Sequence, residues 1–160
     1  MERPTWDEYF MEMTRIIARR STCLKAKMGA VLVKGQRLLT TGYFGPPRGM
    51  KHCDETGCIR DEMKLPDGVR VEVCRGVTAI QNAIIQGAIF GISIEGSTLY
   101  TTHPPCNISA QMLVNAGIRR IVIEKGYPEG LALKALVDAG IEIDARAPDS
   151  EHNSPMIERV

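Results

Sequence analysis

Apolar residues recur along this chain with two periods, and the switches between them mark out its elements. Between residues 5 and 20, Phe10, Met13 and Ile17 fall on one face at helical spacing, while Arg15, Arg19 and Arg20 fall mostly elsewhere. This predicts an amphipathic helix packed on a core. Thr5 is placed to cap it, and Asp7 and Glu8 suit its first turn. Gly29 to Val33 is an apolar run of strand length, Lys34-Gly35-Gln36 is a turn, and residues 37–43 form a second strand. The pattern is that of a hairpin. Residues 44–75 are rich in Gly, Pro and charge and carry three cysteines, so a long irregular segment is expected there. A loop of that length usually has a task or an internal staple.

From Val77 onward, helical and strand patterns alternate. Residues 77–88 read as a helix with Ala79, Ala83 and Ile84 apolar, and 97–101 as a strand. Residues 106–116 read as a helix stopped by Gly117, and 119–124 as a strand. A helix at 129–138 and a short strand at 141–143 complete the series. Alternation of this kind predicts an α/β protein, a sheet covered by helices. A single domain over residues 1–146 is expected. The polar tail 147–160, with two prolines, is expected to fray.

Composition narrows the function. A net charge of +1 gives no broad field for nucleic acid or a membrane surface. No run approaches the roughly 18 apolar residues of a membrane span. The first residues carry no apolar signal region, so a soluble, cytoplasmic protein is expected. The cysteines are Cys23, Cys53, Cys58, Cys74 and Cys106. An odd number without a signal segment argues against a disulfide framework and leaves metal binding, catalysis or burial.

Several ordered stretches then carry a resemblance. They are Trp6-Asp7-Glu8-Tyr9-Phe10-Met11, Arg20-Ser21-Thr22-Cys23, Thr41-Gly42-Tyr43-Phe44-Gly45, His52-Cys53, Gly57-Cys58 and Cys74-Arg75-Gly76. Further on come Gln81-Asn82-Ala83-Ile84-Ile85-Gln86, the run from Ile94 to His103, Pro105-Cys106, and Asn115-Ala116-Gly117. From about residue 4 to about residue 143 the chain resembles the zinc-dependent deoxycytidylate deaminases. The resemblance implies the cytidine deaminase-like fold: three α/β/α layers around a mixed central sheet.

In that family a His and two Cys hold zinc, the metal activates a water, and a Glu shuttles the proton; the signature is H-x-E followed by P-C-x-x-C. Matched onto this chain, Thr78 stands at the His position, Ile80 at the Glu and Ser109 at the second Cys, and only Cys106 remains. Hydroxyls are poor zinc ligands beside imidazole or thiolate. Isoleucine cannot carry a proton, and losing a positioned acid/base typically costs about 10²–10⁴ in rate. Phe44 occupies the place of the family's substrate-facing Asn. The resemblance therefore implies a ligand pocket made of Phe44, Thr78, Ile80, Gln81, Asn82, His103, Cys106 and Ser109, more apolar than the family's and without catalytic zinc.

Cys23, Cys53, Cys58 and Cys74 match positions where many family members carry cysteines, and some members bind a second, structural zinc in this region. A structural zinc on these four is expected, with His52 as a substitute ligand; unmetallated thiols are the alternative. Cys106, at a helix start, is the one candidate nucleophile, because exposed N–H groups there favour a thiolate. It has no evident base beside it, and a leftover ligand packed in a remodelled pocket is the other reading.

Three functions remain open. One is a deaminase-like protein that binds a small or nucleotide-like molecule, or acts as a regulatory or scaffold homologue. The second is an enzyme repurposed for zinc-independent biosynthetic chemistry, with Cys106 as its nucleophile. The third is ordinary deamination. Family members form dimers and hexamers, and the apolar pairs Ile84-Ile85 and Leu113-Val114 suit a subunit interface, so a homo-oligomer is expected.

Overall fold

The computed structural model describes residues 2–67 and 70–145; the tail from Ala147 lies outside the described residues. The elements follow in the order α1 (Trp6–Ala18), β1 (Gly29–Lys34), β2 (Arg37–Tyr43), α2 (Cys53–Thr56), α3 (Ile59–Glu62), α4 (Ala79–Phe90), β3 (Thr98–Thr101), α5 (Asn107–Asn115), β4 (Arg120–Ile123), α6 (Gly130–Asp138) and β5 (Glu142–Ala145). The five strands form one sheet in the order β2-β1-β3-β4-β5. β1 is antiparallel to both β2 and β3, while β3, β4 and β5 run parallel. The sheet is mixed and lies between helices, the expected three-layer α/β/α architecture.

The segment 44–75 differs from expectation. It contains α2, α3 and a 3₁₀ turn at Val71–Val73. These pieces are of one turn each, too short for a helical repeat to show in the sequence. The base of the segment is tied by a reciprocal bridge: Val77 N–H donates to the Gly45 carbonyl at 2.7 Å, and Gly45 N–H to the Val77 carbonyl at 3.3 Å. Further on, α4 runs two residues beyond its expected end, to Gly91 in the left-handed conformation.

Alternation along β1 serves two cores. Val31 and Val33 face α1 and pack with Phe10, Met11, Tyr100 and Val122. Ala30 and Leu32 face the other way, into a larger core with Ile80, Ala83, Leu99, Leu113, Ile121 and Leu136. Leu113, expected at a subunit interface, is fully buried within the chain, and Ile84 packs on the same core. Ile85 remains 41% exposed, and beyond it Ile89 and Phe90 are 58% and 66% exposed.

Both helix layers approach the β1–β2 hairpin at glycines. A Cβ on Gly29 would stand 2.5 Å from the Thr14 carbonyl oxygen of α1, and one on Gly42 would stand 2.1 Å from the Ala79 carbonyl oxygen of α4. At the hairpin turn, Gly35 and Gln36 have φ of 56° and 60°, and nothing lies within 4 Å of a Cβ added to Gly35.

A polar clamp fixes the start of α1. Thr5 and Glu8 form a capping box. Asp7 accepts both Arg120 Nη atoms at 2.8 and 2.9 Å, and the Tyr100 hydroxyl at 2.6 Å. The hydrogen bond from Arg120 holds the Asp7 carboxyl below its ordinary range, with burial opposing. Burial, with Asp7 beside it, pushes the Tyr100 hydroxyl well above its ordinary value.

Two outcomes follow for stability. Gly42→Ala should cost about 3 kcal/mol or more, because backbone must move. Gly35→Ala should cost about 1 kcal/mol, the left-handed penalty alone. Urea titration of the two variants checks the ranking. Because the folded Asp7 carboxyl titrates below its unfolded value of about 3.9, its contribution is present above that value and is lost as pH falls through the lower folded one. Asp7→Asn should therefore lose about 1 kcal/mol near neutrality, a figure limited by the solvent exposure of Asp7, and the deficit should shrink in strong acid.

Candidate functional site

The N-termini of α4 and α5 meet at one end of the sheet, beside the start of β1 and the end of β3. Here Thr102 N–H donates to the Gly29 carbonyl at 3.1 Å, and Gly29 N–H to Thr102 Oγ1 at 3.1 Å. Thr78 is the N-cap of α4, and Cys106 that of α5.

Thr78 and Gln81 form a capping box: Gln81 N–H donates to Thr78 Oγ1 at 3.2 Å, and Thr78 N–H to Gln81 Oε1 at 3.0 Å. A T-x-x-Q spacing before an apolar run signals this, and Gln81, expected as a pocket residue, is a capping residue of α4. The Asn82 amide likewise donates to the Tyr43 carbonyl at 2.9 Å and ties α4 to the end of β2.

Thr78 Oγ1 lies 3.1 Å from Ser109 Oγ, and Cys106 Sγ lies 3.3 Å from the same Ser109 oxygen. Thr78, 31 residues from Ser109 in sequence, thus meets the first turn of α5. Thr78, Ser109 and Cys106 form a hydroxyl–hydroxyl–thiol chain. Ser109, its centre, is 1% exposed; Thr78 and Cys106, its ends, are half-buried.

The other expected pocket residues divide. Ile80 is only 4% exposed and belongs to the main core with Leu99 and Ala110, so it is a core residue and not part of an open apolar wall. The Phe44 ring lies against Gly76, where a Cβ would stand 2.7 Å from its Cζ, and Ser21 Oγ donates to the Phe44 carbonyl at 2.8 Å. His103 Nδ1 pairs with Thr102 Oγ1 at 2.9 Å. Burial, aided by Lys125, lowers the His103 pKa and favours the neutral ring. Cavities of about 370 and 560 Å³ lie beside the far end of α5 around Val114 and Ala139, and none of the expected pocket residues lines them.

Cys23, Cys53, Cys58 and Cys74 gather in space. Burial pushes the Cys53 thiol up, and Cys74, Cys23 and Cys58 act in the same direction while Arg75 opposes them. Gly76 N–H donates to Cys74 Sγ at 3.4 Å. His52 Nδ1 pairs with Thr22 Oγ1 at 2.8 Å. Among the described residues, however, no three His, Cys, Asp or Glu side chains stand as a ready-made ligand set. The thiols are neighbours, and a closed tetrahedral site requires side-chain movement.

The family described as "Cytidine and deoxycytidylate deaminase zinc-binding region" matches residues 4–125. A deoxycytidylate deaminase of Mycobacterium phage D29 is 36% identical over 78% of this chain and 98% of its own length. The Schizosaccharomyces pombe deoxycytidylate deaminase is 33% identical over 91% of this chain, which spans only 45% of that relative. Among solved structures, the dCMP deaminase of cyanophage S-TIM5 in complex with dCMP and dUMP superposes with a TM-score of 0.73. It is 26% identical, over 91% of this chain and 100% of the phage chain.

The hydroxyl chain should be measurable in stability. Thr78→Val removes the cap and the link to Ser109 and should cost about 1–2 kcal/mol. Thr78→Ser keeps both and should cost less than half as much. A Thr78→Val variant as stable as the parent protein in thermal unfolding would remove the hydrogen bonds from the account.

Proposed function

This chain belongs to the cytidine and deoxycytidylate deaminase family, and we propose that it is a member without zinc-dependent deaminase activity that binds a small, nucleotide-like molecule as a regulatory or scaffold homologue. The observation that carries this reading is the donor set at the two helix N-termini. It consists of one thiol and two hydroxyls already hydrogen-bonded to one another. Such a set does not fit catalytic zinc, which takes imidazole and thiolate ligands. Ile80 adds that no carboxylate stands where the proton shuttle belongs. The repurposed-enzyme reading, with Cys106 as nucleophile, is the weaker one, because His103 is paired with Thr102.

The four gathered cysteines support a structural zinc distinct from the catalytic position, in a family named for zinc binding. Four thiolates suit a closed site, and the metal would staple residues 44–75. A homo-oligomer, a dimer or a hexamer, is supported by α4, which is mostly apolar yet leaves Ile85, Ile89 and Phe90 exposed. Among the described residues no helix is long and apolar enough to cross a membrane. Together with five free cysteines, this supports a cytoplasmic location, and the one five-stranded sheet supports a single domain over residues 1–146.

The purified protein should form no dUMP from dCMP above background, with or without added zinc. Thr78→His, Ile80→Glu and Ser109→Cys together should restore a second metal, with little turnover while Phe44 remains. Wild-type turnover that disappears in Cys106→Ala would overturn the reading. Metal analysis should give about one zinc per chain; Cys53→Ser should lower it and Cys106→Ala should not. Light scattering should report two or more chains.

A further inference from the structure

Hydrogen bonds made by the residues beside the cysteines bring Cys23, Cys53 and Cys74 to one place. Thr22 Oγ1 and His52 Nδ1 pair at 2.8 Å, and Cys23 and Cys53 are the residues that follow them. Cys53 opens the single turn of α2, and Gly57 N–H returns to the Cys53 carbonyl at 2.8 Å. Arg75, which follows Cys74, donates to Thr56 Oγ1 at 3.3 Å and to the Gly57 carbonyl at 3.2 Å, so it is tied to that same turn. Burial is the largest cause that pushes the Cys53 thiol up; among its neighbours Cys74 acts most strongly, ahead of Cys23 and Cys58. Such an influence falls with distance, which singles out Cys74. All four cysteines are half-buried, so a small solute can reach them.

A closed metal site needs four ligands in one geometry, whereas a disulfide needs only two sulfurs that can swing together. We propose that Cys53 and Cys74 form a reversible oxidation site for hydroperoxides. The first thiol attacks a peroxide oxygen: an S–O bond forms, the O–O bond breaks, and a sulfenic acid and one water result when the oxidant is hydrogen peroxide. The second thiol attacks that sulfur: the S–S bond forms, the S–O bond breaks, and the departing hydroxide takes the second thiol's proton as another water. The two sulfurs together lose two electrons, and one hydrogen peroxide gains them. Cys106 cannot do this within the chain, because its sulfur pairs with the Ser109 hydroxyl, which cannot complete a disulfide. Zinc is not required: metal and disulfide are alternative staples of the segment 44–75. The oxidation is relayed inward. Cys74 Sγ accepts the Gly76 N–H at 3.4 Å, Gly76 lies against the Phe44 ring, and the next residue, Val77, carries the bridge to Gly45. A Cys74 sulfur turned toward Cys53 leaves Gly76 without that acceptor, two residues from the Thr78 cap of α4.

The full chain, freed of metal by a chelator, is exposed to hydrogen peroxide, alkylated and digested with trypsin and a glutamate-specific protease. The second enzyme cuts after Glu55 and separates Cys53 from Cys58. The expected product is a peptide pair joined through Cys53 and Cys74, which dithiothreitol returns to free thiols. Cys53→Ser and Cys74→Ser should each abolish the link, whereas Cys23→Ser and Cys106→Ala should keep it. Amide exchange at Gly76 should be about threefold or more faster in the oxidised chain; an unchanged rate overturns the relay. A different linked pair, sulfinic acid without any disulfide, or no reaction at peroxide concentrations that oxidise free cysteine overturns the oxidation site. Metal analysis of the untreated protein separates this from the zinc reading. A chain purified without zinc that still forms the Cys53–Cys74 link overturns the structural zinc and upholds the oxidation site; a zinc-bearing chain whose stripped form makes no link does the reverse.

Discussion

Two helix layers reach one hairpin at points where there is no room for a side chain. Gly29 meets the backbone of α1 and Gly42 the backbone of α4, on opposite faces of β1 and β2. Because Gly29 and Gly42 lie within neighbouring register pairs, the two contacts act almost back to back. The consequence for the site is direct. Ala79, whose carbonyl lies over Gly42, is the first residue of α4, and Thr78 caps it. The height of α4 above the sheet, and so the distance from Thr78 to the first turn of α5, is set by a missing Cβ rather than by the groups in the site. The Asn82 bond to the Tyr43 carbonyl holds the same helix against sliding.

On the reading proposed above, Thr78, Ser109 and Cys106 stand at the family's metal positions and are joined by hydrogen bonds instead of a metal. A metal would draw ligands together with a binding energy of about 10–16 kcal/mol for a structural zinc, and would itself define the geometry. A chain of neutral hydrogen bonds yields about 0.5–1.5 kcal/mol per link and cannot pull helices into place. The Thr78–Ser109–Cys106 chain therefore depends on a scaffold that is already correct, which the glycine contacts and the capping box supply. On the same reading Ile80, matched to the family's proton-shuttle position, contributes packing area here.

Much of this was legible from the chain itself. The apolar run of β1, the second strand of the hairpin, the Lys34-Gly35-Gln36 turn, and the alternation of elements beyond Val77 correspond to the observed sheet and helices to within about two residues. The meeting of Thr78, Cys106 and Ser109 was legible only through the family's motif, since no local period links residue 78 to residue 109. Three features escaped for physical reasons. The single turns α2 and α3 are shorter than the repeat that reveals a helix. The inward direction of Ile80 depends on how α4 is rotated, which a helix apolar on nearly every side does not disclose. The Asp7–Tyr100–Arg120 clamp joins strands and a helix end distant in sequence, and charged residues at such spacings read equally well as solvated surface.

The bridge between Gly45 and Val77 separates two kinds of freedom in the chain. One pair of hydrogen bonds joins the two ends of the excursion that leaves the framework after Gly45 and returns at Val77, with Thr78 and the hairpin on its inner side, while Thr22 and Lys25 tie it further out. The entropy of closing such an excursion grows only with the logarithm of its length. Residues can therefore be added to or removed from its outer part at small thermodynamic cost, without moving α4. In a lineage of such proteins, this is the stretch where chain length has latitude to drift while the spacing from Val77 to Ser109 does not.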